Sequence, residues 1–553
     1  MNALEQFSFG VNSADTSDAR GHRTGRQLAL VAGILLAHVI LAWYFRVWGI
    51  TTGDDDAGYL LLARALRAGH YRELHDAALF VGAKYPPGYP ALLALMGLFA
   101  GENITAFLLI SIVSSAIALW LAYDAIHRLW GFALGVTVLA LAALNPFLIL
   151  NAGRLMSEAP FMALLMLMLW AIARKPQTTG MAVVAGAAAI AGGLTRSAGV
   201  TLVPALGLLW LLERRIKALV IFGVASALTV GAWTAWIISA PSSKERDLYV
   251  ADAVAFVGKG PSVPLAFARR TFNNAREYAT QFVPNALSVP TVSGTAVDNA
   301  IVVVLLAVFL SVGVFAVWRR WRLVVLFLAV YGTLLVLWAF AIDRFVEPIL
   351  PLILLTVLVG SDTTLAWRTR RGAAALTLAI ALSIGLRSLT TDVRVLQAAA
   401  TCDRSNPTES PGCVSADETA FFQAAKYIGQ TTEPNAIVLT AKPRPFYYYS
   451  GRRTVNQNIV LSRPPAETAD RVRASGAQYV LITELGFWPK EFRENITGAC
   501  ESFTVVREFP PRAVLLRLRD QGEASACDVL RRPLPPAAAS PTGGFSSVPS
   551  LIR

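Results

Sequence analysis

Eleven long apolar segments constrain the fold of this chain more than any other feature of its sequence. They lie at 27–48, 104–126, 131–150, 158–173, 180–197, 199–213, 217–239, 297–317, 322–341, 345–365 and 372–390. A membrane-spanning helix needs about 20 apolar residues, and about 17 at the least. Soluble domains carry about 25% charged residues, whereas this chain carries 15% and has a mean hydropathy of +0.52. The sequence predicts a polytopic α-helical membrane protein with about 11 transmembrane helices, or about 12–13 if further segments cross.

The placement of the basic residues predicts the orientation of the chain. Arginines precede the first span in the tail 1–26, and later basic clusters lie in short loops between apolar segments. If 89–100 lies at the interface instead of crossing, the positive-inside rule places all of these clusters and the N-terminus in the cytoplasm. The C-terminal part is then extracytoplasmic. The formal charge of +13 does not indicate nucleic-acid binding, because no basic face carries interleaved aromatic residues.

An acidic cluster, Asp54–Asp56, opens the first outer loop, 51–100, and Lys84-Tyr85-Pro86-Pro87 follows later in that loop. Three carboxylates are too costly to place in hydrocarbon, so they belong at the boundary between membrane and water. The second outer loop, 240–296, lies on the same side of the membrane. Further charged residues fall at the outer ends of the spans, namely Arg154, Glu158, Arg196, Asp343, Arg344 and Glu347. The sequence therefore predicts a site at the outer face of a transmembrane domain, 27–390.

The region 395–530 has the character of a small extracytoplasmic α/β domain. We expect an amphipathic helix at 416–430, strands at 436–440 and 477–483, and a hairpin formed by 503–509 and 513–519. The tail 531–553, rich in Pro, Ala, Ser and Gly, is predicted to be disordered. All four cysteines follow the last span. We favour disulfides between Cys402 and Cys413 and between Cys500 and Cys527, as in an oxidising compartment, over free thiols or a metal site.

The order of these motifs resembles the C-type membrane glycosyltransferases, in particular the protein O-mannosyltransferase and aminoarabinose-transferase group of bacteria. The matching pieces, over roughly 25–390 of the chain, are Asp55-Asp56-Ala57-Gly58-Tyr59, Tyr85-Pro86-Pro87-Gly88-Tyr89-Pro90, Asn145-Pro146, Arg154 with Ser157-Glu158-Ala159-Pro160, and Arg344-Phe345 with Pro348 and Pro351. The resemblance implies many membrane helices, with juxtamembrane helices in the first outer loop. Three positions depart from the familiar members of this group. Asp56 stands where Glu is frequent, Gly58 where a larger residue is frequent, and Glu158 where many relatives carry Asp.

The resemblance also implies an activity. It implies the inverting transfer of a hexose or pentose from a polyprenyl-phosphate donor to a hydroxyl acceptor on protein, lipid or glycan. The reaction would take place at the outer face of the bacterial inner membrane, among membrane lipids. The acidic residue of the first loop is the expected base, with Asp55 the better match and Asp56 the second.

Elementary chemistry assigns roles to the same residues. One base must remove the acceptor proton, and a phosphate leaving group needs positive charge rather than a general acid. Asp55 would be the base, its pKa raised by the neighbouring carboxylates. The candidates for binding the donor phosphate are Lys84, Arg154 and Arg344, the supporting residues are Tyr59, Tyr85 and Glu158, and a divalent cation (Mg or Mn), although not required, could bind Asp55, Asp56 and Glu158.

Each assignment has an alternative. Asp54–Asp56 could simply cap the helix that begins near Ala57, or Asp54 alone could cap it while Asp55 acts as the base. Lys84 could be an interfacial anchor. Arg154 and Glu158, four apart, could form an ion pair on one helix face, and Arg344 could pair with Asp343. At the level of the whole protein, the alternative is a transporter or flippase for a polyprenyl-linked or other anionic lipid. Such proteins place their charged sites near the bilayer midplane, often in repeated halves.

Overall fold

The structure is a computed structural model of the full chain. It describes residues 17–82, 84–174, 176–239, 263–288, 296–366, 369–410, 413–461, 463–486 and 488–535. Most of the expected N-terminal tail, part of the second outer loop and the expected disordered tail beyond 535 lie outside these residues. The described part consists of an apolar helical region and a smaller C-terminal α/β unit.

All eleven predicted apolar segments form helices. The helices of this region are Ser17–Tyr44, Asp55–Arg67, Gly88–Ala100, Ile104–Trp130, Phe132–Ala143, Pro146–Ala152, Glu158–Ala173, Thr179–Thr195, Leu202–Leu212, Ile216–Ser226, Ala232–Ser239, Val263–Glu277, Val283–Ala286, Ala296–Arg320, Arg322–Leu337, Leu350–Ala366 and Arg370–Ala399. The 3-10 turns Ser197–Thr201 and Asp343–Ile349 and the π-helical turns Ala227–Gly231 and Tyr278–Phe282 adjoin them.

Six of the described helices are long and apolar enough to cross a membrane, or seven if a bent pair counts as one span. Four more of the predicted spans are shorter apolar helices of 10–17 residues, as is the helix Gly88–Ala100 that we expect at the interface. The predicted class, a polytopic helical membrane protein with juxtamembrane helices in the first loop, is confirmed.

The segment 131–150 differs from the prediction of one straight span. It consists of the helices Phe132–Ala143 and Pro146–Ala152, bent by 62°. The sequence explains the break, because Pro146 has no N–H to continue the helical ladder. Asn145 caps the second helix, its side chain accepting a hydrogen bond from the Phe147 amide at 3.0 Å. The bend places the residues that follow Ala152 beside the first loop.

The C-terminal unit contains a five-stranded sheet of order β2-β1-β3-β5-β4. The strands are β1 Ile437–Thr440, β2 Arg453–Asn456, β3 Tyr479–Ile482, β4 Phe503–Phe509 and β5 Ala513–Leu518. β2, β1 and β3 are parallel, whereas β4 and β5 form the expected hairpin and pair antiparallel to β3. Helices flank the sheet: Ala416–Thr431, Pro443–Ser450, Thr468–Ala474, Pro489–Gly498 and Cys527–Leu530, with short 3-10 turns at Gln457–Ile459, Pro465–Glu467 and Cys500–Ser502.

Separate apolar cores stabilise the two parts. One large cluster fills the space between the membrane helices, and two clusters cover the opposite faces of the sheet. A further cluster joins the first outer loop to the membrane helices through Tyr59, Tyr85, Tyr89 and Phe107. Disulfides link Cys402 to Cys413 and Cys500 to Cys527, the pairing that the sequence favoured.

Candidate active site

The acidic cluster forms the turn that starts the helix Asp55–Arg67. Asp54 adopts a left-handed conformation (φ 77°), and its side chain makes no capping hydrogen bond. Asp54 thus occupies the N-cap position, but the alternative that its carboxylate caps the helix is wrong. The Asp56 carboxylate stabilises the turn instead, accepting hydrogen bonds from the amides of Thr51 (2.6 Å) and Ala57 (2.8 Å). This leaves the carboxylates of Asp54 and Asp55 to meet side chains from elsewhere in the chain.

Asp55 lies at the centre of a cluster of charged and polar side chains. One carboxylate oxygen accepts a hydrogen bond from the Tyr85 hydroxyl and lies 3.2 Å from the Lys84 ammonium. The other pairs with the Arg344 guanidinium, 289 residues away in sequence. Arg344 binds Asp343 through its backbone amide, which donates to the Asp343 carboxylate at 2.7 Å. The guanidinium of Arg344 is directed at Asp55 instead, so the alternative pairing of the Arg344 and Asp343 side chains is wrong. The fold thus unites a predicted base with two predicted phosphate ligands.

The charges around Asp55 determine its pKa. Burial alone would raise the pKa, but the charges of Arg344 and Lys84, with the hydrogen bond from Tyr85, outweigh burial and hold it well below its usual range. The expectation that neighbouring carboxylates raise the pKa of Asp55 is therefore wrong. The raised pKa belongs to Asp56, where burial lifts it to about 6 against the hydrogen bonds it accepts from the backbone.

Glu158 extends the cluster inwards. Its carboxylate lies 2.7 Å from the Arg196 guanidinium and 3.5 Å from that of Arg344, and the residue is 1% exposed. Arg154 is not on the same helix, because it lies in the bend that precedes Glu158–Ala173. The alternative of an ion pair along one helix face is wrong. Arg154 instead interacts electrostatically with Asp343 and with Asp56 of the acidic cluster.

Two tyrosines pack beneath these charges. The Tyr59 hydroxyl shares a hydrogen bond with the Ser157 hydroxyl at 2.7 Å, and Ser157 also accepts one from Arg196 at 3.2 Å. The ring centroids of Tyr59 and Tyr85 lie 4.5 Å apart. Tyr85 thus contacts Asp55 directly through its hydroxyl, whereas Tyr59 packs against the Tyr85 ring and contacts Ser157.

The C-terminal unit contributes to the site a residue that the sequence does not single out. Arg444, in the first turn of Pro443–Ser450, is 1% exposed. Its guanidinium lies 2.6 Å from the carboxylate of Asp54 and 3.3 Å from that of Glu73. A buried arginine needs carboxylate partners, and the chain supplies both of them from the first outer loop. The Pro-Arg-Pro stretch at 443–445 was visible in the sequence, but its partners were not.

Glycine at position 58 makes room for this arginine. A Cβ atom there would lie 2.7 Å from the Tyr85 ring and 2.8 Å from Cδ of Arg444. No bulkier residue fits unless the arginine moves. The absence of a side chain at position 58 thus coincides with the insertion of Arg444.

Lys442 approaches the same carboxylates. It follows β1, at the carboxyl edge of the parallel strands, where α/β sheets commonly bind ligands. Partial burial would raise the pKa of Asp54, but the charges of Arg444, Lys84 and Lys442 outweigh it and lower the pKa to about 2. Three cations, Lys84, Arg344 and Arg444, therefore pair directly with the two carboxylates, and Lys442 adds positive charge to their surroundings.

Further bonds tie the first outer loop to the C-terminal unit. The Tyr449 hydroxyl donates to the Ile50 carbonyl at 2.8 Å, and the Thr52 hydroxyl donates to the Glu418 carboxylate at 2.6 Å. The loop also pairs with the edge strand β2, because the Thr454 amide donates to the His75 carbonyl at 2.8 Å. The site is thus assembled from both parts of the molecule.

The carboxylates suggested for a divalent cation do not converge. Those of Asp55, Asp56 and Glu158 are directed at Arg344, at the backbone and at Arg196, respectively. Among the described ranges, three ligand residues come within 4.8 Å of one another only at Cys500, Glu501 and Cys527, and the two cysteines are joined in a disulfide. The three carboxylates do not fit a metal ion in this arrangement, and the cation stays a prediction from the sequence.

Comparison with known proteins identifies the fold. No protein-family profile and no curated protein sequence matches the chain. Among solved structures, ArnT from Cupriavidus metallidurans bound to undecaprenyl phosphate is similar at 13% identity and a TM-score of 0.51, over 89% of this chain and 98% of ArnT. The oligosaccharyltransferase AglB from Archaeoglobus fulgidus, in complex with an inhibitory peptide and a dolichol-phosphate, is similar at 11% identity and a TM-score of 0.51, over 82% of this chain and 69% of AglB.

Proposed function

We propose that this protein, which has the fold of the C-type membrane glycosyltransferases, transfers a sugar from a polyprenyl-phosphate donor to a hydroxyl acceptor with inversion. One observation carries the proposal: the Asp55 carboxylate lies between the cations Lys84 and Arg344. A base beside two cations is what displacement of a phosphate from an anomeric carbon requires. We place the reaction at the outer face of a bacterial inner membrane.

The proposed step is a direct displacement. The acceptor oxygen attacks the anomeric carbon and forms the new C–O bond while its proton passes to Asp55. The bond between the anomeric carbon and the phosphate oxygen breaks, and its electron pair leaves with polyprenyl phosphate. Lys84 and Arg344, with Arg154 nearby, would neutralise the charge that develops on this leaving group. No general acid is needed, because phosphate leaves as an anion.

The charges also suggest how Asp55 becomes a base. Without a donor, Arg344 and Lys84 hold the pKa of Asp55 low, so its carboxylate is a weak base. A donor phosphate that takes over these two cations would leave Asp55 buried with less positive charge around it. Its pKa would then rise, as burial favours the neutral form. Asp56 is less suited to the task, because backbone amides occupy both of its oxygens.

The test is transfer from radiolabelled polyprenyl-phosphate sugars in reconstituted vesicles. We expect Asp55→Asn to lower kcat by about 10²- to 10⁴-fold, the usual contribution of a general base. Asp76→Asn, which removes a carboxylate in the same loop outside the cluster, is the matched control and should keep its activity. Equal turnover of Asp55→Asn and the wild type would remove Asp55 from the mechanism. Absence of transfer from every donor would instead favour the transport of an anionic lipid.

A further inference from the structure

An open cleft lies outside the charged cluster, between the end of the helix Ser17–Tyr44 and the C-terminal unit. Its walls include the segment 44–51, the Cys402–Cys413 disulfide and the side chains of Phe422 and Tyr449. Nothing in the proposed reaction uses this cleft.

Two arginine side chains at the cleft lie against the ring of the same tryptophan, Trp48. The guanidinium carbon of Arg46 lies 3.8 Å from the ring centroid of Trp48, and that of Arg404 lies 5.2 Å from it. Within the described ranges, no carboxylate lies within ion-pair distance of either guanidinium. Glu418 also lines the cleft, but its carboxylate accepts hydrogen bonds from Thr52 and Ser415.

Bringing two like charges together costs free energy unless an anion joins them. Arginine binds phosphate oxygens in a bidentate geometry and remains charged while stacked on an aromatic face. The pair is therefore suited to a phosphate ester.

The position of the cleft indicates where such a phosphate would come from. The helix Ser17–Tyr44 is long and apolar enough to cross a membrane, and the cleft lies at its end. Trp43, Tyr44 and Trp48 lie against the two arginines. Tryptophan and tyrosine are enriched at the level of lipid headgroups. Basic residues at that level attract anionic lipids.

We propose that this cleft binds the phosphate group of an anionic membrane lipid, with Arg46 and Arg404 as the phosphate ligands. The apolar part of the wall would face the rest of the lipid. The cleft is next to the proposed active site, because Thr51 in its wall donates its amide to Asp56. A bound lipid would thus help to hold the turn that carries the acidic cluster.

The test compares two short-chain lipids with the same acyl chains, one anionic (phosphatidylglycerol) and one zwitterionic (phosphatidylcholine). Each is titrated into the full-length protein in neutral detergent, and binding is followed by microscale thermophoresis. We expect the wild type to prefer the anionic lipid and Arg46→Gln/Arg404→Gln to lose about 30-fold in affinity for it, or about 5-fold per arginine. Arg453→Gln/Arg463→Gln removes the same charge from exposed positions of the C-terminal unit and should keep the preference.

Each of the following three outcomes would overturn the proposal. A double variant that still prefers the anionic lipid would show that the arginines are not its ligands. Inorganic phosphate that competes as strongly as the lipid would assign the cleft to free phosphate. No preference in the wild type would remove the site altogether. If the double variant does not fold, Arg404→Gln alone serves as the test, because the Arg404 side chain is exposed and its loss leaves no cavity.

Discussion

At the scale of single residues, neighbouring aspartates differ because each carboxylate meets different partners. Asp54 and Asp55 face cations, which favour the ionised form. Asp56 accepts hydrogen bonds from the amides of Thr51 and Ala57 and from the Thr51 side chain, but burial outweighs these bonds and raises its pKa. The local sequence, three identical residues in a row, contains no sign of this difference. It results from side chains that approach the turn from three distant segments.

The low pKa of Asp54 predicts a pH-dependent stability. Its pKa is about 2 in the folded state, against 3.8 for the unperturbed group, so the ionised carboxylate stabilises the fold above about pH 4 and loses this effect as the pH falls towards 2. We expect Asp54→Asn to cost about 2 kcal/mol at pH 7 and progressively less below pH 4. Thermal unfolding of both proteins between pH 2 and pH 7 measures the difference. A difference that stays constant with pH would contradict the assignment.

Lys442 offers a test of charge at the proposed donor site. If it adds to the field that attracts the donor phosphate, Lys442→Gln should raise the donor KM by about 5- to 10-fold and change kcat less. Lys490→Gln, at an 88% exposed position of the same unit, is the control of equal charge. A lower kcat with an unchanged KM would assign Lys442 to the chemical step instead of to donor binding.

At the scale of elements, the contact between the helix Asp55–Arg67 and the helix Pro443–Ser450 fixes the acidic cluster. The second helix inserts Arg444 between Asp54 and Glu73, and the absence of a side chain at Gly58 allows the close approach. Removing one partner of a buried ion pair is costly because the other charge is left uncompensated. The C-terminal unit is therefore part of the site.

Gly58→Ala tests this helix contact. The added methyl group would meet the Tyr85 ring and the Arg444 side chain at less than 3 Å, and we expect it to cost about 1–3 kcal/mol and to lower transfer at least about 10-fold. Gly223→Ala is the control, because a Cβ atom there meets nothing within 4 Å. Unfolding and transfer assays measure both effects. Wild-type behaviour of Gly58→Ala would show that Arg444 does not position the cluster.

At the scale of the whole molecule, eleven crossings would place the N-terminus and the C-terminal unit on opposite sides of the membrane. The bent pair Phe132–Ala143 and Pro146–Ala152 is the critical element. If it enters and returns on one side, every later loop changes sides. The short apolar helices affect the orientation in the same way, because a helix of 16 residues is just shorter than the minimum of about 17 that a span needs.

Cysteine labelling in intact cells decides the orientation. We expect Lys490→Cys to react with a membrane-impermeant maleimide and Arg214→Cys to react only after the cells are opened, because six predicted spans precede Arg214 and eleven precede Lys490. Both positions are exposed to solvent. The opposite pattern would contradict the eleven-span topology, and the bent pair would be the first segment to test for a return to the same side.

The sequence by itself determined the membrane class, the helical segments, the disulfide pairing and the residue types of the site. These follow from local information, such as the length of apolar runs, the order of basic loops and the short separation of Cys402 from Cys413. Only the tertiary structure decided which charges meet. Arg344 reaches Asp55 across 289 residues, and Arg444 reaches Asp54 across 390. Pairings of this kind depend on the distances between packed helices, which local patterns do not contain, and they reversed the expected pKa shift of Asp55.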